Sequence, residues 1–510
     1  MSASNLTRRM SAEDAWFLYF EKPHAPLHIG SVAIYEGNVS FDRVYASIDA
    51  RMHLIPRYRQ RAIIPPFYAG HPTWEDDPKF ALDRHLRVVD LPAPGTDEQL
   101  RKLSCDLFAE ILPRDRPLWD ITVIRGLEGN RTAYLSRVHH CLVDGVSGIE
   151  LLLAVLDLVP NPEPTPPPAE KWDPKATSRP LESWTDAMFE QWNHDVRAFS
   201  EWQQNVLDPR AQMRQMTELA HAFQVAMPAA ARQPAKTPWN KSVGAKRDVG
   251  WTSMSFQEVR GIRGALGGTV NDVMLTILGG GLGRYLQSKG VKTAGMTLRL
   301  MIPVNVRKGD EKGALGNRVS MMLPELPVGI NDPVARLAAV RGEMEHLKST
   351  NQASAFESLM RLSSNMPAAL HALAGSAGVP PGGANLICTN VPGPMIPLYS
   401  VGHRMLEHYP MVPLSGDMGI GAGITSYNKS LYLTIMCDPA LVPDISVIAD
   451  FCAQEFQALR AAAGVPVSDL PSFSAKNGNG NGNGHGNGHA KTADKVTGSA
   501  AALHAVAPNV

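Results

Sequence analysis

The stretch VHHCLVDG, residues 138–145, follows a predicted strand at 132–138 and precedes a predicted helix at 146–158. Successive side chains point to opposite faces of a strand, so His139 and His140 cannot both face the core. We expect one ring to be buried and the other to face an open space. Histidine has an unperturbed pKa of roughly 6.5 and accepts a proton near neutral pH. The pattern predicts that His140 is a general base that deprotonates a hydroxyl group.

Two other interpretations of this stretch remain open. The histidines and Asp144 could be ligands of a metal ion, or one histidine could be a core residue beside a helix cap. Adjacent histidines on a strand diverge, and the sequence clusters no further ligands here, so we expect no metal. Asp144 lies where the helix should begin, and Gly145 permits a sharp turn.

The composition limits the classes of function. A chain of 510 residues suggests two or three domains with ample buried cores. Acidic and basic residues balance at 49 each, so no global field favours nucleic acid or an anionic membrane. The five scattered cysteines are expected to be reduced thiols of a cytosolic protein. No signal peptide is visible and no apolar run nears the roughly 20 residues that span a bilayer, so membrane contact is expected to be peripheral.

The elements around the histidines are predicted from their periodicity and turn residues. A helix at 10–20 has Ser11 as its candidate N-cap, and a strand follows at 26–35. A second strand at 120–124 is joined by a short turn to the strand at 132–138. The histidine-bearing strand is therefore expected to lie inside a sheet.

Composition shifts divide the chain into four parts. We predict a first domain at 1–160 that carries the histidines, a proline-rich linker with crossover helices at 161–245, and a second domain at 246–470. The Asn/Gly-rich tail at 471–510 cannot bury apolar area and is expected to be disordered. The basic and aromatic segment at 56–77 is predicted to form a solvated face.

The second half carries further candidate residues. A helix is predicted at 273–286, and either Asn271 or Asp272 can cap it. The sequence NVPGP at 390–394 ends a predicted strand in a rigid turn, because two prolines around a glycine cannot continue a ladder. The glycines at 419–423 are predicted to belong to a closely packed strand, since no Lys-Ser or Lys-Thr follows as a P-loop requires.

The sequence HHCLVDG at 139–145 matches the HHxxxDG signature of the CoA-dependent acyltransferase superfamily. That group includes chloramphenicol acetyltransferase, carnitine acyltransferases and the condensation domains of peptide synthetases. From about Met10 to Leu459 the chain most resembles the bacterial wax ester synthase/acyl-CoA:diacylglycerol acyltransferase (WS/DGAT) family. The motifs that carry the resemblance are SAEDAWFL at 11–18, PLHIG at 26–30, PLW at 117–119, ND at 271–272, PVNVR at 303–307, NVPGP at 390–394 and TSY at 425–427. One departure is Thr389, where the family often has serine.

The resemblance implies an α/β (α+β) fold of two chloramphenicol-acetyltransferase-like domains. Each domain is expected to contain a mixed β-sheet with flanking helices. The two would form a pseudo-dimer around a central tunnel, with His140 near its middle. Acyl-CoA would enter from one side and the hydroxyl acceptor from the other.

The activity that the resemblance implies is O-acyl transfer without a covalent acyl-enzyme. A long-chain fatty acyl group would move from acyl-CoA to diacylglycerol, to a long-chain fatty alcohol, or to both. Acyl-CoA is then a substrate, and no cofactor is expected. The expected partners are these substrates and a membrane or lipid-droplet surface, with no nucleic acid. The expected location is the cytoplasm, in peripheral association with the inner membrane or lipid droplets.

The resemblance also implies roles for individual residues. The second histidine of the signature is the catalytic one in the superfamily, so the general base would be His140. Asp144 would support the active-site loop, His139 would support the structure inside the sheet, and Asn271 is a candidate oxyanion donor. The residues expected along the substrate channel are Gly145, Asp272, Asn390, Pro392 and Gly393.

Other functions remain open at this point. The chain could acylate another complex alcohol or a glycolipid, or it could be a non-catalytic lipid-droplet-binding protein that kept the fold. The intact His140 and Asp144 argue against the non-catalytic alternative. A carrier-dependent condensation module would need a neighbouring carrier or adenylation domain, and none is evident in this sequence.

Overall fold

The computed structural model of the chain describes residues 9–142, 155–174, parts of 181–225, 233–305, 319–364, 366–377 and 383–468. The strands in these parts are β1 (His28–Glu36), β2 (Gln60–Ile63), β3 (Thr73–Asp76), β4 (Leu86–Asp90), β5 (Trp119–Leu127), β6 (Arg131–His139), β7 (Asp248–Ser255), β8 (Thr297–Asn305), β9 (Val319–Met322), β10 (Glu325–Pro327), β11 (Leu386–Val391), β12 (Tyr399–Ser400), β13 (His403–Met411), β14 (Ile420–Tyr427) and β15 (Ser430–Cys437). The α-helices are α1 (Ala12–Phe20), α2 (Phe41–Arg51), α3 (Asp97–Phe108), α4 (Phe256–Leu266), α5 (Val270–Ser288), α6 (Pro333–Ser349), α7 (Gln352–Ser364), α8 (Ala368–Ala377) and α9 (Ile445–Ala462).

The histidine-bearing strand β6 lies in the interior of the first sheet. This sheet has the strand order β12-β13-β1-β6-β5-β4, and β6 pairs antiparallel with both β1 and β5. Side chains from both faces of β6 are buried, including Thr132, Ala133, Tyr134 and Leu135, as in a strand covered on both faces. The prediction that this strand lies inside a sheet is confirmed.

The second sheet is mixed and has the strand order β10-β8-β11-β14-β15-β7, with β9 also paired to β8. Strand β11 runs parallel to β8 and β14, whereas β15 runs antiparallel to β14 and β7. All eight residues of β14 are buried. A Cβ atom on Gly423 would lie 3.1 Å from the ring of Pro410, so the glycines serve close packing as predicted.

A strand from the second half of the chain joins the first sheet. Strand β13 pairs antiparallel with β1, with Val32 opposite Tyr409. The sequence HRMLEHYPM mixes polar residues and a proline with apolar ones, and its periodicity predicted no strand. The predicted domain limits 1–160 and 246–470 stay a prediction, and this pairing adds residues 399–411 to the first sheet.

The two sheets share a core at β13. The Trp251 ring of β7 stacks on Tyr409 with 4.5 Å between centroids and 11° between planes. Tyr432 of β15 donates a hydrogen bond to the Leu406 carbonyl at 3.1 Å. Val249 packs in the same buried cluster as the N-terminal strands. Buried aromatic contacts of this kind hold the two sheets together.

The basic segment predicted as a solvated face is instead packed against the protein. Arg57 is buried, and its guanidinium lies 4.9 Å from the centre of the Trp74 ring. The Arg59 guanidinium lies 4.6 Å from the Trp172 ring. The prediction was wrong because the aromatic faces offer these cations an attractive surface inside the fold.

Most of the helix predicted at 146–158 cannot be compared with the structure, and its last three residues are not helical. Residues 143–154 lie outside the described residues, and 156–158 are not helical. Asp157 instead forms an isolated β-bridge with Tyr399 and accepts a hydrogen bond from Arg51, so its backbone and side chain are both engaged outside a helix.

Two remaining predictions concern thiols and the tail. All five cysteines are free, in agreement with the predicted reduced thiols, and all five are also buried. The tail at 471–510 lies outside the described residues. Among the helices that the structure describes, none is long and apolar enough to cross a membrane.

Gly30 allows β1 to approach β6 closely, and we expect Gly30→Ala to destabilise the protein. A Cβ atom at this position would lie 2.4 Å from the backbone carbonyl oxygen of Ser136, so the two central strands would have to separate. Overpacking of this kind costs about 1 to 3 kcal/mol of unfolding free energy. Urea denaturation followed by circular dichroism measures it.

The matched control is Gly264→Ala in helix α4, where a Cβ atom would meet nothing within 4 Å. Alanine is the better helix former, so this variant should gain about 0.5 to 1 kcal/mol. Equal effects of the two substitutions would contradict the proposed close approach of β1 and β6.

Candidate active site

The histidine pair is fixed by backbone hydrogen bonds from both sides. The His139 N–H donates to the Leu118 carbonyl at 2.9 Å, and the His140 N–H donates to the Leu27 carbonyl at 3.0 Å. Leu27 and Leu118 belong to the PLHIG and PLW motifs, which lead into β1 and β5. The two motifs therefore hold the end of β6 in a fixed position.

Helix α1 contacts both histidines. Its N-cap is Ser11, whose hydroxyl accepts from the Asp14 N–H at 3.0 Å, as predicted. Phe17 and Glu21 are four residues apart and lie on the same side of the helix end. The Phe17 ring stacks on His140 with 3.9 Å between centroids and 9° between planes. The Glu21 Oε1 atom lies 3.3 Å from His139 Nε2.

His139 is the fully buried member of the pair, whereas His140 is partly exposed. The His139 Nδ1 atom accepts a hydrogen bond from the Cys141 N–H at 3.2 Å. The proton of its neutral ring therefore resides on Nε2, which faces Glu21. Burial lowers the pKa of His139, although Glu21 acts in the opposite direction. The ring is thus neutral at neutral pH and suited to a supporting role.

Glu21 connects α1 to three other parts of the site. Its carboxylate pairs with Arg114 and accepts from the Leu27 N–H at 2.8 Å. Burial raises the pKa of Glu21, but His139, Arg114 and the Leu27 N–H outweigh burial and hold it well below its usual range. Neither Glu21 nor Arg114 was predicted from the sequence. The only signal was a carboxylate at a helix end, one turn after an aromatic residue.

Cys141 follows the histidines but does not provide a nucleophile. The side chain is buried, and burial raises the pKa of its thiol well above the usual value. The thiolate is the reactive form of cysteine, and its population here is negligible at neutral pH.

The start of α5 differs from the predicted capping. The N-cap is Thr269, whose hydroxyl accepts from the Asp272 N–H at 3.2 Å. The Asp272 carboxylate accepts in return from the Thr269 N–H at 2.8 Å, which completes a capping box. Asn271 is therefore not the cap, because threonine two residues earlier takes that place.

Asn271 instead contacts another predicted site residue. Its Oδ1 atom accepts a hydrogen bond from Asn390 Nδ2 at 3.0 Å, although the two are 119 residues apart in the chain. With its oxygen accepting, Asn271 retains Nδ2 as a donor group. An amide Nδ2 group of this kind can donate a hydrogen bond to an anion.

The NVPGP turn is clamped to β14. The Gly393 N–H donates to the Ser426 hydroxyl at 3.0 Å, and that hydroxyl donates back to the Gly393 carbonyl at 3.2 Å. A Cβ atom on Gly393 would lie 2.2 Å from the Ser426 carbonyl oxygen, so only glycine fits. Pro392 is exposed beside it. The TSY motif therefore sets the position of the turn after Asn390.

The described contacts form two groups. One contains His139, His140 and the residues of α1, and the other contains Asn271, Asn390 and the NVPGP turn. Asp144 and Gly145 lie outside the described residues. The meeting of both groups in one tunnel stays a prediction.

We expect Glu21→Gln to lower the unfolding free energy by about 2 kcal/mol, because hydrogen bonds to a charged acceptor are lost in a buried position. The folded pKa of Glu21 lies below the unfolded one, so the unfolded state binds more protons in acid. The stabilisation is thus present above about pH 4.3 and is lost as the pH falls below it. Denaturation of wild type and variant across this range measures the difference.

The control is Asp90→Asn, which breaks the exposed pair between Asp90 and Arg125 at 2.8 Å. Exposed pairs contribute little, so the stability should hardly change. A Glu21→Gln variant as stable as this control would show that Glu21 does not hold the histidine pair.

Two family models match the chain. The wax ester synthase/diacylglycerol acyltransferase catalytic domain matches residues 10–274, and the WS/DGAT C-terminal domain matches residues 315–460. A protein of Mycobacterium tuberculosis named diacylglycerol O-acyltransferase is 30% identical over 445 residues, which cover 86% of this chain and 92% of the relative. A protein of Mycobacterium bovis with the same type of name is 29% identical over 474 residues, which cover 88% of this chain and 90% of the relative.

Solved structures show the same fold. The wax ester synthase/diacylglycerol acyltransferase from Marinobacter aquaeolei VT8 superposes with a TM-score of 0.62 at 22% identity, covering 90% of this chain and 100% of that one. The first condensation domain of the calcium-dependent antibiotic synthetase gives a TM-score of 0.57 at 15% identity, covering 91% and 98%. The expected two-sheet α/β fold is confirmed. The chain belongs to the wax ester synthase/diacylglycerol acyltransferase family and is an acyltransferase.

Proposed function

We propose that the chain transfers a long-chain acyl group from acyl-CoA to the hydroxyl group of diacylglycerol or of a long-chain fatty alcohol. The names of the relatives support both acceptors. The observation that carries the proposal is His140, the second histidine of the family signature. Its ring is partly exposed at the end of a rigid central strand and is oriented by Phe17.

In the proposed reaction His140 is the general base. It removes the proton of the acceptor hydroxyl, and the oxygen attacks the thioester carbonyl carbon. The tetrahedral oxyanion then collapses, the carbon–sulfur bond breaks, and protonated His140 returns the proton to the CoA thiolate. Both substrates are bound together, so proximity lowers the barrier without a covalent acyl-enzyme.

The surroundings of His140 support this cycle. The stacked Phe17 face is close enough to attract the positive charge that develops on the ring during proton transfer. The hydrogen bond from the His140 N–H to Leu27 fixes the backbone. Burial keeps the neighbouring His139 ring neutral, so that ring adds no positive charge that would oppose protonation of His140.

Asn271 is the proposed donor to the oxyanion. Asn390 holds its oxygen, which orients the Nδ2 group as a donor. A donor already in place stabilises the developing charge without reorganisation. Asp144 and Gly145 lie outside the described residues. We propose that Asp144 supports the active-site loop and that Gly145 keeps the channel open. Asp272 and the turn at 392–393 would line the same channel.

We further propose that the chain works in the cytoplasm at the surface of the inner membrane or of lipid droplets. Diacylglycerol and long-chain alcohols reside in such lipid phases because their apolar chains partition out of water. A protein that acts on these lipids encounters a higher substrate concentration when it binds to the surface of the phase that contains them.

We expect His140→Ala to abolish acyl transfer while folding and CoA binding persist. Without the imidazole no group at this position accepts the hydroxyl proton. The assay uses labelled palmitoyl-CoA with diacylglycerol, hexadecanol or a glycolipid, followed by separation of the neutral lipids. The control is His346→Ala, which removes an exposed histidine of α6 and should leave turnover unchanged.

Turnover of His140→Ala within about tenfold of wild type would contradict the general-base role, since this catalysis typically contributes 10²–10⁴-fold. Label in the glycolipid alone would favour the alternative acceptor class. Folded wild type that transfers to no acceptor would contradict the proposed activity.

We expect Asn271→Ala to lower kcat by about 10²–10³, the effect of losing one oxyanion donor, with little change in KM. Asn390→Ala should have a smaller effect, because the Asn271 donor remains and loses only its orientation. Steady-state kinetics with palmitoyl-CoA measures both. A larger loss in Asn390→Ala than in Asn271→Ala would reverse the proposed roles.

A further inference from the structure

A strained aromatic turn protrudes near helix α1. The Pro66–Tyr68 turn follows β2, and its Phe67 side chain is 88% exposed. Phe67 and Tyr68 have φ angles of 56° and 53°, a region that non-glycine residues rarely adopt. Two consecutive residues of this kind, with an apolar ring in solvent, carry a cost that surrounding contacts must offset.

Helix α8 packs against this turn. Its large apolar side chains face solvent, whereas a surface helix normally exposes its polar side chains. Leu370 and Leu373 are 46% and 63% exposed, and Met366 before the helix continues the same side. The buried side instead contains small or polar residues, Ala368 and His371. An ordinary amphipathic helix places its large apolar side chains against the core.

The exposed apolar side chains of the turn, of α8 and of the residues next to them are together called the apolar patch, since the turn and α8 pack against each other. Its members are Ile64, Phe67, Tyr68, Met366, Leu370 and Leu373. Contiguous exposed apolar side chains on a soluble protein mark an interaction site.

The apolar patch is connected to the helix that holds the histidines. Tyr19 of α1 contacts Tyr68 edge to face with 5.7 Å between ring centroids. A Cβ atom on Gly375 would lie 2.6 Å from the Tyr19 carbonyl oxygen, so α8 and α1 are in direct backbone contact. The His71 and His371 rings stack at 5.5 Å and join the turn to α8. The patch is therefore in direct contact with α1.

The patch itself carries no charged side chain, and two basic side chains lie at its edge. The segments 62–74 and 362–403, which supply every member of the patch, contain no Asp, Glu, Lys or Arg. At the edge, Arg9 donates to the His71 carbonyl at 2.8 Å and Lys22 donates to the Gly375 carbonyl at 2.8 Å. A charge-free apolar surface with cations at its edge complements a hydrocarbon layer beneath anionic headgroups.

We propose that the apolar patch docks on an anionic phospholipid surface and places α1 next to the lipid from which the acceptor comes. The choice of acceptor rests on the proposed function, whereas the docking itself does not. Phe67 and the leucines of α8 enter the headgroup and acyl boundary. Arg9 and Lys22 lie at the level of the phosphates.

A second exposed apolar stretch has different surroundings. The helical residues between 181 and 196 expose Phe189 and Trp192 but carry the acidic Glu182 and Asp186. Carboxylates are repelled by anionic headgroups, so this stretch does not fit the same surface. It therefore supplies the matched control.

The test attaches an environment-sensitive NBD fluorophore to Phe67→Cys in the full chain. All five native thiols are buried, so the introduced one is labelled selectively. Vesicles of phosphatidylcholine with about one third phosphatidylglycerol should shift the emission to the blue and raise it, and added salt should weaken the effect. Phe189→Cys, labelled in the same way, should show no shift.

A second measurement uses the Phe67→Ser/Leu373→Ser variant in vesicle sedimentation. Loss of two apolar side chains that would enter the lipid should reduce the partition coefficient about tenfold or more. Turnover on detergent-dispersed diacylglycerol should stay within about twofold of wild type, since catalytic contacts are untouched.

An unshifted label at position 67, a shift of equal size at position 189, or unchanged vesicle binding of the double serine variant would overturn the docking surface. None of these readouts depends on acyl transfer. Failure of the wild type to acylate any lipid would therefore count against the proposed function and not against the docking.

Discussion

The contact between the end of helix α1 and the end of strand β6 is the interaction on which the site depends. Phe17 stacks on His140 and Glu21 faces His139, so one helix holds the two rings of the signature. The helix can do this because its C-cap residue is Glu21, whose carboxylate is held by Arg114 and the Leu27 N–H. A buried carboxylate with these partners stays ionised, and a fixed charge of this kind orients the neighbouring neutral imidazole.

The second constraint is the crossing of β13 from the second half of the chain into the first sheet. Strand β13 pairs with β1 in the first sheet, and its Tyr409 ring stacks on Trp251 of the second sheet. These two contacts make the sheets parts of one core. Close approach at Gly423 permits this packing without separation of the sheets. The site at the end of β6 therefore rests on contributions from both halves, and movement of either half would disturb it.

The docking proposed for the apolar patch is consistent with this arrangement. Helix α8 contacts α1 on the side away from β6, so a lipid surface bound there would lie one helix from His140. The buried side of α8 is small and its exposed side is large and apolar, which a solvent-facing role does not explain. One helix would thus link the lipid-binding face to the catalytic histidine.

Periodicity and turn residues in the sequence were enough to place β6 inside a sheet, to identify the Ser11 cap and to indicate β14 as a closely packed strand, because these features depend on neighbours in the chain. The motif order was enough to assign the family. The Thr269 cap is also a local feature, a Thr-x-x-Asp capping box that the prediction of Asn271 or Asp272 as the cap overlooked. The pairing of β13, the burial of Arg57 against Trp74, and the Glu21–Arg114 support were decided only by tertiary structure. Each of these depends on a partner distant in the chain, and such a partner leaves no periodic signal in the sequence.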